Sequence, residues 1–169
     1  PIAPMRVARR YAGSCVVRGA RAARGEELEE ELWVIGGLDG GRELASVEIY
    51  SPRANAWRAG PAMRRPRSNV VAGLVGGCLV VAQGRGGGEG EEGGGDGEGG
   101  DRSCEAYDFV RGAWVPVPPL PRAIEDATGT AIGGRLYVMG GEGSGAALVC
   151  ARRPDGAFAW EAHDAAAAS

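Results

Sequence analysis

ELWVIGGLDGGRELASVEIYSPRANAW, residues 31–57, is the stretch of this sequence that decides the fold. An apolar segment leads into two adjacent glycines and a tight turn, and a second apolar segment ends at Tyr50, shortly before Trp57. Both segments are short, rich in Val, Ile and Leu, and bounded by turn residues, which indicates β-strands and not helices. The question is whether this pair of strands occurs once or is repeated.

The pattern occurs three times. The double-glycine strand LWVIGG at 32–37 is matched by CLVVAQG at 78–84 and by LYVMGG at 136–141. VEIYSPRANAW, which ends at Trp57, is matched by CEAYDFVRGAW, which ends at Trp114, and more loosely by ALVCARRPDGAFAW. These two tryptophans are 57 residues apart, and the third of the series follows 46 residues later. A further strand-like segment precedes each double-glycine strand, so each repeat supplies four short strands.

Repeats of about 50 residues with glycine and aromatic punctuation are typical of β-propellers. A four-stranded unit cannot bury both faces of its sheet alone, so it stacks radially on its neighbours. We therefore predict an all-β fold with three four-stranded antiparallel blades. The blades are predicted at 4–63, 64–120 and 121–163, and residues 164–169 form a tail.

The three copies resemble kelch repeats, in which a strand ends in two glycines, the next ends in tyrosine, and a tryptophan follows about six residues later. Gln83 replaces the first glycine of the second copy, and Cys150 replaces the third tyrosine. The resemblance implies a kelch-type propeller, with the glycines at sharp turns and the aromatic side chains packed between blades. The motif residues are Gly36, Gly37, Tyr50, Trp57, Gly84, Tyr107, Trp114, Gly140, Gly141 and Trp160.

Three blades do not close a ring, because closed propellers have about 4 to 8 blades. One interpretation is a partial propeller from a longer protein, which the absence of an initiator methionine favours. Another is that two copies pair as halves of a six-bladed ring, or that something else covers the open flanks. Exposed apolar flanks predict self-association or marginal stability.

Two insertions interrupt the repeats. The Gly- and acid-rich segment at 84–102 has too little apolar surface to offset its ordering entropy and is predicted to be a disordered linker. Weak cation binding by Asp96, Glu98 and Asp101 is the alternative, although the spacing is not that of an EF-hand loop. The charged insertion at 19–30 is either a short helix or a loop.

Composition argues against several classes of function. A net charge of −3 without a long basic run gives no reason to expect nucleic acid. The apolar runs are far shorter than the roughly 20 residues that cross a bilayer, so no membrane partner is expected. Four widely spaced cysteines without a Cys-x-x-Cys pair are expected to be free thiols in strands, which favours a reducing compartment.

No catalytic set is visible in the sequence. His163 is the only histidine, so neither a Ser-His-Asp arrangement nor a His-carboxylate metal cluster is expected. Glu125 and Asp126 are adjacent and would face opposite ways in a strand, which makes them a poor acid–base pair. We predict no enzyme activity, no metal and no cofactor.

The resemblance places partner binding on the loops that enter the innermost strands and on those that follow the double glycines, since loops on a rigid scaffold carry function. Arginine suits a carboxylate-bearing peptide, so acidic protein segments are the expected partners. The alternative is that these arginines pair with Glu125, Asp126 or neighbouring carboxylates, or point to water. The candidates are Arg9, Arg10, Tyr11, Asp39, Arg42, Arg64, Arg67, Ser68, Asn69, Arg122 and Glu142.

The resemblance also implies a function. Kelch propellers joined to a BTB/BACK or F-box region recognise substrates for cullin-RING ubiquitin ligases, and we expect this chain to act in the same way, with cullin ligase components reached through such a region. A cytoskeletal, actin-binding or scaffold kelch protein is the alternative, and a metal-dependent kelch enzyme is more remote. The expected location is the cytoplasm, with the nucleus as the alternative.

Overall fold

A computed structural model describes residues 1–18, 29–82, 102–124, 126–141 and 147–163. The short apolar segments form strands, as their composition predicts, and the described residues contain no helix. The strands are β1 (Gly13–Val17), β2 (Glu31–Ile35), β3 (Leu38–Asp39), β4 (Arg42–Glu43), β5 (Val47–Ser51), β6 (Ala56–Ala59), β7 (Val71–Val75), β8 (Cys78–Ala82), β9 (Cys104–Asp108), β10 (Ala113–Val117), β11 (Thr128–Ile132), β12 (Arg135–Met139), β13 (Ala147–Arg152) and β14 (Phe158–His163).

Twelve of these strands form three antiparallel four-stranded sheets in the orders β1-β2-β5-β6, β7-β8-β9-β10 and β11-β12-β13-β14. We call them blades 1, 2 and 3. This all-β arrangement confirms the predicted fold class. The short hairpin β3–β4 is an addition that the sequence analysis did not predict. Each predicted repeat contains one blade, while the repeat boundaries themselves stay predictions.

The core lies between blades and not within any one of them. Blades 1 and 2 share one buried cluster, in which Trp33 packs against Tyr107 and Phe109 with ring centroids 5.5 Å and 5.4 Å apart. Blades 2 and 3 share a second, aliphatic cluster that includes Val80 and Leu136. Because burying apolar area is the main favourable term in folding, each blade depends on its neighbour for stability.

A motif tryptophan ties the outermost strand of each blade to the segment that enters that blade. The indole Nε1–H donates to a backbone carbonyl in all three cases, and the acceptors lie at equivalent places in the repeat. The bonds are Trp57 to Ala3 (2.7 Å), Trp114 to Pro61 (3.0 Å) and Trp160 to Pro118 (3.0 Å). Each of the three tryptophans thus has a hydrogen-bonded polar tip, whereas packing between blades as a shared role of the motif residues stays a prediction.

The flanks of blades 1 and 3 carry exposed apolar side chains. Val16 on blade 1 is 48% exposed, and Ile132 on blade 3 is 64% exposed. Self-association through these flanks stays a prediction. Within the described part of the chain, no helix has the length and apolar character needed to cross a membrane. Most of both insertions lies outside the described residues, as does Gly84.

The double glycine of blade 1 lies against the loop that enters blade 2. Gly36 and Gly37 have φ angles of +64° and +100°, which L side chains rarely adopt. The Gly37 N–H donates to the carbonyl of Arg67 at 2.9 Å, and a Cβ on Gly36 would collide with that same carbonyl oxygen. The motif glycines of blade 1 are therefore required by contact between blades as well as by the turn.

We expect Gly36→Ala to lower the free energy of unfolding by about 2 kcal/mol more than Gly40→Ala, because only the first change forces a methyl group into a neighbouring backbone. Gly40 is a matched control: its φ is +56° and nothing lies within 4 Å of an added Cβ. Urea unfolding of the two variants measures the difference. Equal destabilisation would mean that φ strain alone explains the glycine.

Candidate functional site

One end of the three blades gathers the loops that the sequence analysis selected. The start of β1 pairs with the end of β2, at Gly13 and Ile35, so the loop before β1 and the loop after β2 lie at the same end. A backbone bridge joins Arg10 to Leu38 there. We call this end the mouth; it comprises residues 10–12, 68–70 and 126–127, together with the β3–β4 hairpin.

Arg9 lies beneath the mouth and not on its surface. Its side chain is 0% exposed and pairs with Glu48 at 2.7 Å, and it also donates to the Ser46 carbonyl at 3.1 Å. The Glu48 carboxylate also accepts from the backbone N–H groups of Arg6 (2.8 Å) and Val7 (3.0 Å). These bonds offset much of the cost of removing two charges from water.

Arg67 repeats this arrangement in blade 2. Its side chain is 2% exposed and donates to Glu105 at 3.0 Å and to the carbonyl of Ser103 at 2.9 Å. The second Glu105 oxygen accepts from the backbone N–H of Arg64 at 3.0 Å. Arg9 and Arg67 both stand four residues before the first strand of a blade, and both acids are the second residue of its third strand.

Blade 3 has apolar residues at the two equivalent positions. Ile124 stands four residues before β11 and Leu148 is the second residue of β13. Both are buried, at 4% and 0% exposure, in the cluster between blades 2 and 3. Blades 1 and 2 thus have an ion pair where blade 3 has two apolar residues. Both positions differ together, because a single charged residue buried without its partner would be costly.

The prediction that Arg9, Arg67 and Ser68 are exposed partner-binding residues is wrong. The two arginines are consumed by the buried pairs, and Ser68 is 2% exposed, with its hydroxyl donating to Glu43 at 3.1 Å. The alternative that the arginines pair with carboxylates is correct, but the carboxylates belong to third strands. A position-by-position comparison of the three repeats would have identified these buried pairs.

The remaining candidates reach the surface, and their partner-binding role stays a prediction. Arg10, Tyr11, Asp39, Arg42 and Arg64 are exposed, whereas Asn69 and Arg122 are partly exposed. Glu142 lies outside the described residues. Of the arginine candidates, Arg10 and Arg42 are therefore exposed at the mouth, whereas Arg9 and Arg67 are buried.

Three residues of the mouth occupy equivalent places two positions before β1, β7 and β11. They are Tyr11, Asn69 and Asp126, with φ angles of +56°, +53° and +51°, and one residue separates each of them from its inner strand. The Asn69 N–H donates to the Tyr11 carbonyl at 2.8 Å, and the Asn69 side-chain amide donates to Asp126 at 2.9 Å. Sequence reasoning selected the first two, but it missed Asp126 as a member of the mouth.

A cavity of 770 Å³ runs along the inner strands towards the end opposite the mouth, and Cys15 lines it. Burial raises the pKa of Cys15 to about 11 and, more strongly, that of Cys150 to about 12. Both therefore remain thiols at neutral pH and are poor nucleophiles. All four cysteines are free and lie in strands, as predicted, and the described residues hold no cluster of His, Cys, Asp or Glu that could bind a metal.

Comparison with known proteins identifies the repeat. The Kelch motif family profile matches residues 25–64. The chain is 38% identical over 100 residues to Kelch-like protein 34 of Homo sapiens, covering 58% of this chain and 14% of that protein. It is 33% identical over 118 residues to Kelch-like protein 15 of Danio rerio, covering 69% and 17%. F-box protein AFR of Arabidopsis thaliana is 30% identical over 111 residues, covering 66% and 27%.

The chain therefore spans less than a third of the length of these relatives. A solved structure, "Structure of YjhT", superimposes with a TM-score of 0.69 at 14% identity, covering 94% of this chain and 53% of that one. At this identity the likeness supports the fold alone.

The exchange of pairs between blades predicts the result of a double substitution. Arg67→Ile or Glu105→Leu alone should each lower the free energy of unfolding by about 3 kcal/mol, because each leaves a buried charge without its partner. The double variant installs the residues of blade 3 and should recover most of that loss. Urea unfolding of the four proteins closes the cycle, and a double variant as unstable as the sum of the single variants contradicts this account.

Acid should weaken blade 1 through Glu48. Burial alone raises the pKa of Glu48, but hydrogen bonds from Arg6, Arg9 and Val7 outweigh it and lower the pKa below its ordinary value of 4.5. Because the pKa is lower in the folded state, the stability that this group contributes is present above about pH 4.5 and is lost as pH falls through the folded-state value.

We expect Glu48→Gln to lose less stability than the parent between pH 6 and pH 3.5, as measured by urea unfolding. Glu161→Gln is the control, since that side chain is 65% exposed and should leave the acid dependence as in the parent. An unchanged acid dependence in Glu48→Gln would rule out this carboxylate as the source.

Proposed function

This chain belongs to the kelch-repeat family, and from that premise we propose that it is a non-catalytic module that binds other proteins through the mouth. The observation that carries the proposal is the equivalent placement of Tyr11, Asn69 and Asp126, one for each blade. Residues with positive φ that are not glycine cost energy and cluster where a structure holds a side chain for use. Here they lie where the loops of all three blades converge.

The chemistry of the mouth supports a peptide-like partner. Arg10 and Arg42 are exposed there, and Asp39 lies opposite Arg42 in the β3–β4 register. Exposed guanidinium groups recognise carboxylates with paired hydrogen bonds, so an acidic stretch of the partner fits this part of the mouth. The buried ion pairs beneath hold the loops, so the side chains above them are presented on a rigid base.

The wider role that we propose is substrate recognition for a cullin-RING ubiquitin ligase in the cytoplasm. It is supported by the relatives named Kelch-like proteins and by the relative named as an F-box protein. The module would supply the contact with the substrate, and another region of the whole protein would reach the ligase. Capture of a cullin with the whole gene product tests this wider role separately from the mouth.

Arg10→Glu should abolish the capture of partner proteins that the parent chain binds in cell lysate, because it reverses the charge of an exposed side chain at the mouth. Arg153→Glu is the matched control: it makes the same charge change in the exposed β13–β14 turn at the opposite end. Quantitative mass spectrometry of the captured proteins should show a loss of about fivefold or more only for Arg10→Glu. Equal loss in both variants, or in neither, argues against the mouth as the binding face.

A further inference from the structure

A small pocket of 210 Å³ opens in the mouth where the entry loops of the three blades meet. Arg42 of the β3–β4 hairpin is not among its lining residues, and its volume suits a single side chain. Its lining residues are Tyr11, Ala12, Asn69, Val70, Asp126 and Ala127.

The pocket carries two side-chain oxygens that act as acceptors. The Asn69 amide donates one of its two N–H groups to Asp126 Oδ1 at 2.9 Å, and the amide oxygen of Asn69 and Asp126 Oδ2 remain as acceptors. No group in the described part of the chain donates to either of these oxygens. Asp126 is exposed, so a partner can reach its carboxylate.

The third group of the pocket is an aromatic ring. Tyr11 is 59% exposed, and the guanidinium of Arg10 lies 5.7 Å from the centre of its ring. This contact shows that the ring already accepts a cation within the distance at which the ring quadrupole attracts positive charge. The pocket therefore joins an aromatic ring, a carboxylate and an amide oxygen, a set of groups that recognises an organic cation.

We propose that this pocket binds a cationic side chain, lysine or arginine, of the protein partner. The inference rests on the proposed function, because it assumes that the partner contacts the mouth. It adds that the bound segment carries both signs of charge, with an acidic part against the exposed arginines and a basic residue against Asp126. A bare calcium ion is a poor occupant, since it takes about six to eight oxygen ligands and the pocket offers few.

The backbone makes the pocket pre-formed. Tyr11, Asn69 and Asp126 all have φ near +50°. Asn and Asp tolerate this conformation best, because their short side chains bond locally, whereas tyrosine there is unfavourable. A tyrosine in a strained position, with its ring outside the core, is consistent with a role in recognition.

The probes for the test are N-acetyl-arginine N-methylamide and, for the opposite charge, N-acetyl-glutamate N-methylamide. Each is titrated into the ¹⁵N-labelled chain, and the Asn69 side-chain amide is followed by NMR because it lies inside the pocket. The arginine probe should shift this resonance along a saturable curve. The glutamate probe should leave it in place.

Two variants test the contributing groups. Asp126→Asn keeps the size and the tolerance of positive φ but removes the charge, and it should weaken the arginine probe about threefold. Tyr11→Asn removes the ring at a position where asparagine is tolerated, and it should weaken the probe by a similar factor. Asp155→Asn, a loss of the same charge in the β13–β14 turn, should leave the affinity unchanged.

A response to both probes, or an affinity that Asp126→Asn does not alter in a chain with a dispersed parent-like spectrum, would overturn the inference. Its failure is distinguishable from failure of the proposed function. If Arg10→Glu still abolishes capture while the arginine probe does not bind, the mouth is the binding face but this pocket is not a cation site. If the probe binds and capture does not depend on the mouth, the pocket recognises cations without serving the proposed partner.

Discussion

The buried pair of a guanidinium and a carboxylate beneath the mouth is the interaction on which the entry to blades 1 and 2 depends. Arg9 with Glu48 and Arg67 with Glu105 each connect the loop before the first strand of a blade to the third strand of the same blade. Each carboxylate also accepts hydrogen bonds from backbone N–H groups, in addition to its bond with the arginine. A buried pair with that support fixes one loop conformation, since breaking it exposes an uncompensated charge to a low dielectric.

Blade 3 shows which part of this arrangement is general. Ile124 and Leu148 replace the pair, yet the blade keeps the same strand order and its tryptophan still bonds to the entry segment through Pro118. The ion pair is therefore one of two ways to hold the loop, and the tryptophan bond is the feature that all three blades share. Apolar replacement is tolerated because Ile124 and Leu148 join an existing buried cluster.

The repeat made most of the fold predictable, and the same repeat explains what was missed. Strands, blade order and the tryptophans follow from spacing and from the alternation of apolar residues. Burial of Arg9 and Arg67 does not, because a single arginine before a strand is indistinguishable from an exposed one. The signal is a correlation between two positions of the repeat. Across blades 1, 2 and 3, the position four residues before the first strand is Arg, Arg and Ile, while the second position of the third strand is Glu, Glu and Leu. Asp126 was missed for a similar reason, since positive φ depends on a loop path that composition does not encode.

The three residues with positive φ, Tyr11, Asn69 and Asp126, are distinct from the residues that stabilise the loops of the mouth. Two residues after the buried Arg9, Arg67 or Ile124, the chain turns through positive φ before it enters the inner strand. The residue below the turn fills the interior and is constrained by it, whereas the residue at the turn reaches the mouth and belongs to no core cluster. Tyrosine, asparagine and aspartate all occupy that turn in one chain. Substitution there leaves the fixed contacts that hold each loop in place, because those contacts lie beneath the turn, so these positions are where we expect the proposed recognition to be altered.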